Sequence, residues 1–304
     1  MFDHAWADAW QRAGLCYFPK LVSAIPYTPA SGQRMLCRQN RQEELFPILL
    51  NAVIKLVQAE DFSGVHILFS DAEQQTFLAQ KPLICRHDCQ YHWHNREYHN
   101  FDDFLSRLTA RKRKNIRRER QKVAQVGIQL RCLDGHSASE KDWQDFTNFY
   151  NQTFAEKNGM ATFNLGFFQQ VATALPDHVL LVLANDGDDC IAGALMYKSD
   201  STLFGRHWGS VEHFDSLHFE ACYYQGIEHC IASGLAHFEP GAQGEHKIAR
   251  GFEPTLTRSF HWVKDEQFRH SLKHYCEHEQ TAVQAYMEEL AGSSPFRVER
   301  MSDG

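Results

Sequence analysis

The densest run of chemically capable side chains in this 304-residue chain is Glu239-Pro-Gly-Ala-Gln-Gly-Glu-His-Lys-Ile-Ala-Arg-Gly251. A short strand ends there and passes into the loop Gly241-Ala242-Gln243-Gly244. Glu245, His246, Lys247 and Arg250 follow over about one helical turn. Neighbouring glycines let a ligand approach the backbone, whose free N–H groups then suit an oxyanion or a phosphate. Gly241, Ala242 and Gly244 are therefore candidates for a cofactor or phosphate cradle. Glu239, Glu245 and His246 are candidate general bases, and Lys247 and Arg250 are candidates for holding an anion, with Gln243 between them. The competing reading is a surface turn with a solvated, charged helix end.

Two further stretches carry polar groups at useful spacing. Gly205-Arg206-His207-Trp208-Gly209 ends a strand, and Leu217-His-Phe-Glu-Ala-Cys-Tyr-Tyr224 opens a long helix. Glu220 and Tyr224 lie four apart and share a helix face, with Tyr223 beside it. Glu220 could equally be a partner for the helix dipole. His218 and Cys222, also four apart, lack a third orienting residue, so Cys222 is expected to be a packed thiol. Cys85-Arg-His-Asp-Cys-Gln-Tyr-His-Trp-His94 has the residue types of a metal site but not the spacing of one. The expectation is no metal, and a strand with His92 and His94 on one face and Trp93 on the other.

The elements that must position these groups follow from hydrophobic periodicity. Residues 111–122 hold eight basic residues in twelve. With Leu105, Leu108, Ile116 and Val123 at helical spacing, they predict one helix over 101–125, opened by Asp102 or Asp103 and closed at Gly127. Arg111, Arg113, Lys114, Arg117 and Arg118 are its candidate phosphate contacts. A solvated helix and an anionic membrane surface are the other two readings. No aromatic interrupts the run, so a base-stacking platform is not indicated. Behind it the pattern reads strand (128–133), helix (139–157), helix (165–175) and three strands (178–184, 190–197, 202–208). A helix (217–232), a strand (235–239), a strand (255–263) and a final helix complete it. Mixed-sheet α/β packing with helices on both faces suits that order. In front, strand 20–26, helix 43–60 and strand 63–69 repeat the succession 202–208, 217–232, 235–239, each helix followed by Ser-Gly and a short apolar strand. On that repeat the front copy lacks elements before Lys20.

With a net charge of -7 and 43% hydrophobic residues, the chain is a folded protein and not a general nucleic-acid binder. No apolar run reaches the length of a membrane span, and the first ten residues lack the basic start of a signal peptide. Nine cysteines without CxxC pairs point to reduced thiols and a cytoplasmic location. Eighteen histidines are an unusual number.

These motifs resemble the FemAB-like predicted N-acyltransferases, a family also labelled peptidoglycan biosynthesis/recognition. The resemblance rests on Phe2–Asp8, Tyr17–Leu21, Pro26–Pro29, Tyr91–Asn95, Arg111–Arg120, Gly205–Gly209, Leu217–Tyr224 and Glu239–Gly251. It implies tandem GNAT-like acyltransferase domains: an incomplete one at 1–100, a basic linker helix at 101–126 and a complete one at 127–304. It also implies acyl transfer from acyl-CoA or an aminoacyl-tRNA to an amine of a cell-wall precursor or other amino compound, with no tightly bound cofactor. Arg206, His207, Trp208, Glu220, Tyr224, Gln243, Lys247, Arg250, His92, Trp93 and Asn95 would then line the substrate site. A tRNA or anionic surface would meet the basic helix. The Arg/Gln-x-x-Gly-x-Gly/Ala signature that binds the CoA pyrophosphate in ordinary GNAT proteins is absent. That departure supports an alternative, a non-catalytic module that recognises a cell-wall or amino-sugar ligand.

Overall fold

The computed structural model describes residues 3–38, 40–242 and 244–297. The chain opens with α1 (His4–Arg12), β1 (Leu21–Ser23), α2 (Gln42–Ala59), β2 (Gly64–Leu68), α3 (Ala72–Ala79) and β3 (Ile84–His94). It continues through α4 (Phe101–Arg107), α5 (Ala110–Gln125), β4 (Gln129–Leu133), α6 (Glu140–Glu156) and α7 (Leu165–Ala174). Next come β5 (Val179–Asp186), β6 (Asp189–Lys198), β7 (Thr202–Ser210), α8 (Leu217–Phe219), a π turn (Glu220–Tyr224) and α9 (Gln225–Ser233). The chain closes with β8 (His237–Glu239), a 3-10 turn (Glu245–Arg250), β9 (Glu253–Val263) and α10 (Glu266–Ala291). The α/β class with a mixed sheet is as expected from the element order. α1 and α3 were not legible in the sequence pattern.

Two compact units divide the chain: Met1–Gln90 with Thr255–Gly292, and Tyr91–Pro254 with Ser293–Gly304. These boundaries differ from the expected 1–100, 101–126 and 127–304. The last strand and helix return to the first unit because β9 pairs antiparallel with β2, Phe260 facing Ile67 and His261 facing His66. The basic helix belongs to the second unit, where its inward residues bind the long helix that follows β7.

In the second unit the strand order is β3-β8-β7-β6-β5-β4. β5 lies between β4 and β6 and carries Val179–Ala184, an apolar run buried along its whole length. α6 starts with a capping box, in which the Ser139 side chain accepts from Asp142 N–H and the Asp142 carboxylate accepts from Ser139 N–H. Its Trp143, Phe146 and Tyr150 pack on Leu181, Leu183 and Leu195 with Phe168 of α7. Each such side chain contributes about 1.5–3 kcal/mol on burial. The expected single helix over 101–125 is two. Leu108 is extended, bridging Phe296, while Thr109 N–H donates to the Pro295 carbonyl. Asn100, not Asp102 or Asp103, caps α4. Gly127 ends α5 at φ 83°, as the sequence predicts.

The internal repeat is present as topology. β1, α2 and β2 form a parallel β-α-β unit, and β7, the helix 217–233 and β8 form another. Beyond the second strand of each lies an antiparallel neighbour, β9 beside β2 and the end of β3 beside β8.

Candidate functional site

β7 and β8 pair only at Thr202–His237, Leu203–Phe238 and Phe204–Glu239, although β7 runs on to Ser210. Among the described residues, β7 therefore has no strand beside it on the β8 side from Gly205 onward. The sheet opens there, at the carboxyl ends of two parallel strands, where α/β proteins characteristically bind ligands. A β-bulge sits at the opening: Leu195 faces His207 and Met196 faces Gly205, leaving Arg206 as the extra residue.

The turn after β8 delivers the predicted polar residues to this opening. Gly241 and Gly244 have φ of 100° and 113°, values that an L side chain rarely adopts. Gly244 has a second constraint, since a Cβ there would lie 2.4 Å from the His246 ring. Only glycine lets that imidazole fold back over the turn. His246 Nε2 and the Tyr223 hydroxyl then share a 2.9 Å hydrogen bond. Partial burial, with the charges of Arg250 and Lys247, holds the His246 imidazole below its usual range, so it is neutral at pH 7. Lys247 is buried, with Nζ donating to the Gly241 carbonyl at 2.7 Å. Burial lowers its pKa to about 8. His218 stands edge-on to Trp208 and Tyr223, its pKa lowered to about 4 by burial, with His246, Lys247 and Arg250 adding to the effect.

Other predicted residues are drawn into internal pairs. Arg250 binds Glu119 through Nε (3.1 Å) and Nη2 (2.7 Å), donates to the His246 carbonyl and lies over the Phe219 ring. Tyr224 also donates to Glu119. Glu220, expected to meet substrate, instead accepts a bidentate pair from Arg120, which reaches Glu228 as well. Neither Glu119 nor Arg120 was singled out as a site residue in the sequence, where both lie within the charged run 111–122. The helix expected over 217–232 is present and contains a π turn over 220–224, where Gln225 N–H bonds to the Glu220 carbonyl. Such turns recur at functional sites.

Several predicted contacts lie apart from this cluster. His207 packs on Tyr150, Phe163 and Phe168, with its pKa lowered to about 3, and Arg206 lies near Tyr197 and Tyr150. Trp93 is fully buried against Tyr98 and Phe104. Asn95 ties its backbone and side chain to Ala236 and Leu235. His92 precedes it, buried, with its pKa lowered to about 3 by burial and then by His94, His237 and Lys247. His94 and His237 meet Nδ1 to Nδ1 at 3.1 Å. Glu239 is buried and Glu245 exposed. Ala242 lies in the turn, and Gln243 is outside the described residues.

On α5, Arg111, Lys114, Arg117 and Arg118 are exposed, Arg117 pairing with Asp102, whereas Arg113 donates to the Leu108 carbonyl. Cys222 is half-buried, and desolvation raises its thiol pKa strongly, as expected of a packed cysteine. Among the described residues, no three His, Cys, Asp or Glu are grouped to hold a metal, and no helix is long and apolar enough to cross a membrane.

Solved structures similar to the chain share its fold at low identity. FemX is 12% identical with TM-score 0.51, over 82% of this chain and 85% of that one. The C-terminal domain of a putative lysylphosphatidylglycerol synthetase from Agrobacterium fabrum is 10% identical with TM-score 0.54, over 75% and 76%. L-PGS from Bacillus licheniformis is 10% identical with TM-score 0.53, over 74% of each chain. No curated protein matches the chain. Residues 1–298 match the model of the FemAB-like family, described as peptidoglycan biosynthesis/recognition, and the chain belongs to that family.

Proposed function

We propose that the second unit is a GNAT-like N-acyltransferase site that passes an acyl or aminoacyl group to an amine of a cell-wall precursor. The observation that carries this reading is the hydrogen-bonded His246–Tyr223 pair beside the strand edge that opens at Gly205. The acceptor nitrogen would attack the carbonyl carbon of a thioester or ester donor. Neutral His246 would take the ammonium proton, and β7 backbone amides would hold the oxyanion. As the C–S or C–O bond breaks, the leaving thiol or hydroxyl would regain a proton from Tyr223, which His246 would replenish. Lys247 would offset negative charge on the donor. Glu239 and Glu245 are reassigned from candidate bases to substrate contacts, beside His92 and Trp208, and Arg250 is assigned to positioning His246 through its carbonyl.

The donor would be acyl-CoA or an aminoacyl-tRNA arriving as a co-substrate, with Arg111, Lys114 and Arg118 meeting tRNA phosphates or an anionic surface. A cytoplasmic location fits nine thiols with no disulfide among the described residues. The test is mass-spectrometric detection of amide products from a panel of acyl-CoAs and charged tRNAs with muropeptide and amino-sugar acceptors. His246→Ala should slow turnover on the order of a hundred- to ten-thousandfold. Turnover at the parent rate in that variant would sink the assignment. The internal engagement of Glu220, Tyr224 and Arg250 favours a second reading, a recognition module, which saturable muropeptide binding without transfer from any donor would support.

A further inference from the structure

α2 is apolar on two faces. One face, Phe46, Leu50 and Val57, is buried in the core of the first unit. The opposite face carries Leu45, Ile48, Leu49, Ala52 and Leu56, which fall at helical spacing on one stripe. Ile48, Leu49 and Leu56 on that stripe are 55%, 36% and 45% exposed. The repeat supplies the comparison. On the corresponding helix of the second unit, Leu217–Ser233, no large apolar side chain is exposed. A helix that is apolar all round normally has both faces covered.

We infer that the outer face of α2 is a homodimer interface, on which α2 of a second copy packs antiparallel about a two-fold axis. The charges at its ends choose that occupant. With the axis between Leu50 and Asn51, Leu45 meets Leu56 of the partner subunit and Leu49 meets Ala52 of the partner subunit. Arg41, at the start of the helix, then faces Glu60 of the partner subunit at its end. Glu44 and Lys55 lie on the same flank of the stripe, and in an antiparallel pair like flanks meet, so each Glu44 comes within reach of Lys55 of the partner subunit. Both pairings are of opposite sign, the first by level along the axis and the second by shared flank, and the isologous contact closes on itself. In the single chain Arg41 is paired with Glu44 at 2.7 Å, but both side chains are more than half exposed, so exchanging partners costs little.

The test is sedimentation equilibrium of the full chain over a range of concentrations, with circular dichroism to check folding. The parent should be a dimer. Leu49→Lys should weaken self-association on the order of a hundredfold while keeping the parent's spectrum. Arg41→Glu alone should weaken it, and adding Glu60→Arg should restore it, which a merely sticky surface would not do. Three results would overturn the inference: a monomeric parent, a Leu49→Lys variant that still dimerises, or failure of the second charge reversal to rescue the first. A monomeric parent that sediments with phosphatidylglycerol vesicles through the same leucines would assign the face to lipid instead.

Discussion

At the residue scale, the chemistry turns on how burial and neighbouring charges set protonation. His246 is kept neutral by partial burial, Arg250 and Lys247, and Lys247 is brought to about 8 by burial. A nearby cation disfavours the imidazolium, so removing one raises the imidazole pKa. Lys247→Met is therefore predicted to shift the acidic limb of the pH–rate profile upward, toward the ordinary histidine value of about 6.5. An unmoved limb would mean that His246 is not the titrating base. Gly244→Ala is a second residue-scale prediction: its Cβ would strike the His246 ring, and the backbone would keep a strained φ. The expected outcome is loss of turnover exceeding any loss of stability, read from kcat beside urea unfolding. Much of this site was legible, because Gly, Glu, His, Lys and Arg fall within one short loop. Tyr223 was harder to select, since its distance from His246 depends on how a remote helix meets that loop.

At the element scale, α5 clamps the helix that follows β7. Glu119 takes Arg250 and Tyr224, and Arg120 takes Glu220 and Glu228. Arg250 and Glu119 have side chains only 9% and 19% exposed, so removing one partner strands the other. Breaking such a pair costs about 3–5 kcal/mol when buried, and Glu119→Ala is predicted to lower stability by about 3 kcal/mol in urea unfolding. A loss under about 1 kcal/mol would show the pair to be ornamental. The crossing of α6 over β7 is as tightly set. A Cβ on Gly209 would lie 2.4 Å from the Phe149 carbonyl oxygen, a backbone atom that cannot swing away. Gly209→Ala should therefore destabilise by about 1–3 kcal/mol in the same measurement, and a neutral effect would show that α6 can slide. Period and caps made most of these elements readable. The break at Leu108 and Thr109 was not, because residues near the far end of the chain hold it.

At the scale of the whole molecule, the histidines explain a property that no single site does. His66, His92 and His207 are lowered to about 3, His218 to about 4, and His261 well below its usual value, burial being the largest cause for each. Unfolded, they would take protons near pH 6.5; folded, they stay neutral until far lower. Between those values the unfolded state binds more protons, so stability rises with pH, is full above about 6.5 and drains as pH falls through that window. Each histidine adds up to about 1.4 kcal/mol per pH unit to the slope. The urea midpoint should be flat between about pH 7 and 8 and fall steeply from about 6.5 to 4.5, and a flat response over that lower window would refute the linkage. By itself the sequence determined the α/β class, nearly every strand and helix of the second unit, the repeated β-α-β succession and the loop that carries His246 and Lys247. Those are local quantities, set by the spacing of apolar residues, by caps and by glycines. Only the tertiary structure decided that β9 and α10 return to the first unit and that β7 parts from β8 at Gly205. It also decided that Glu220 and Arg250 are committed to α5 and that five histidines are desolvated. Each depends on contacts between residues far apart in sequence, whose energies no local pattern records.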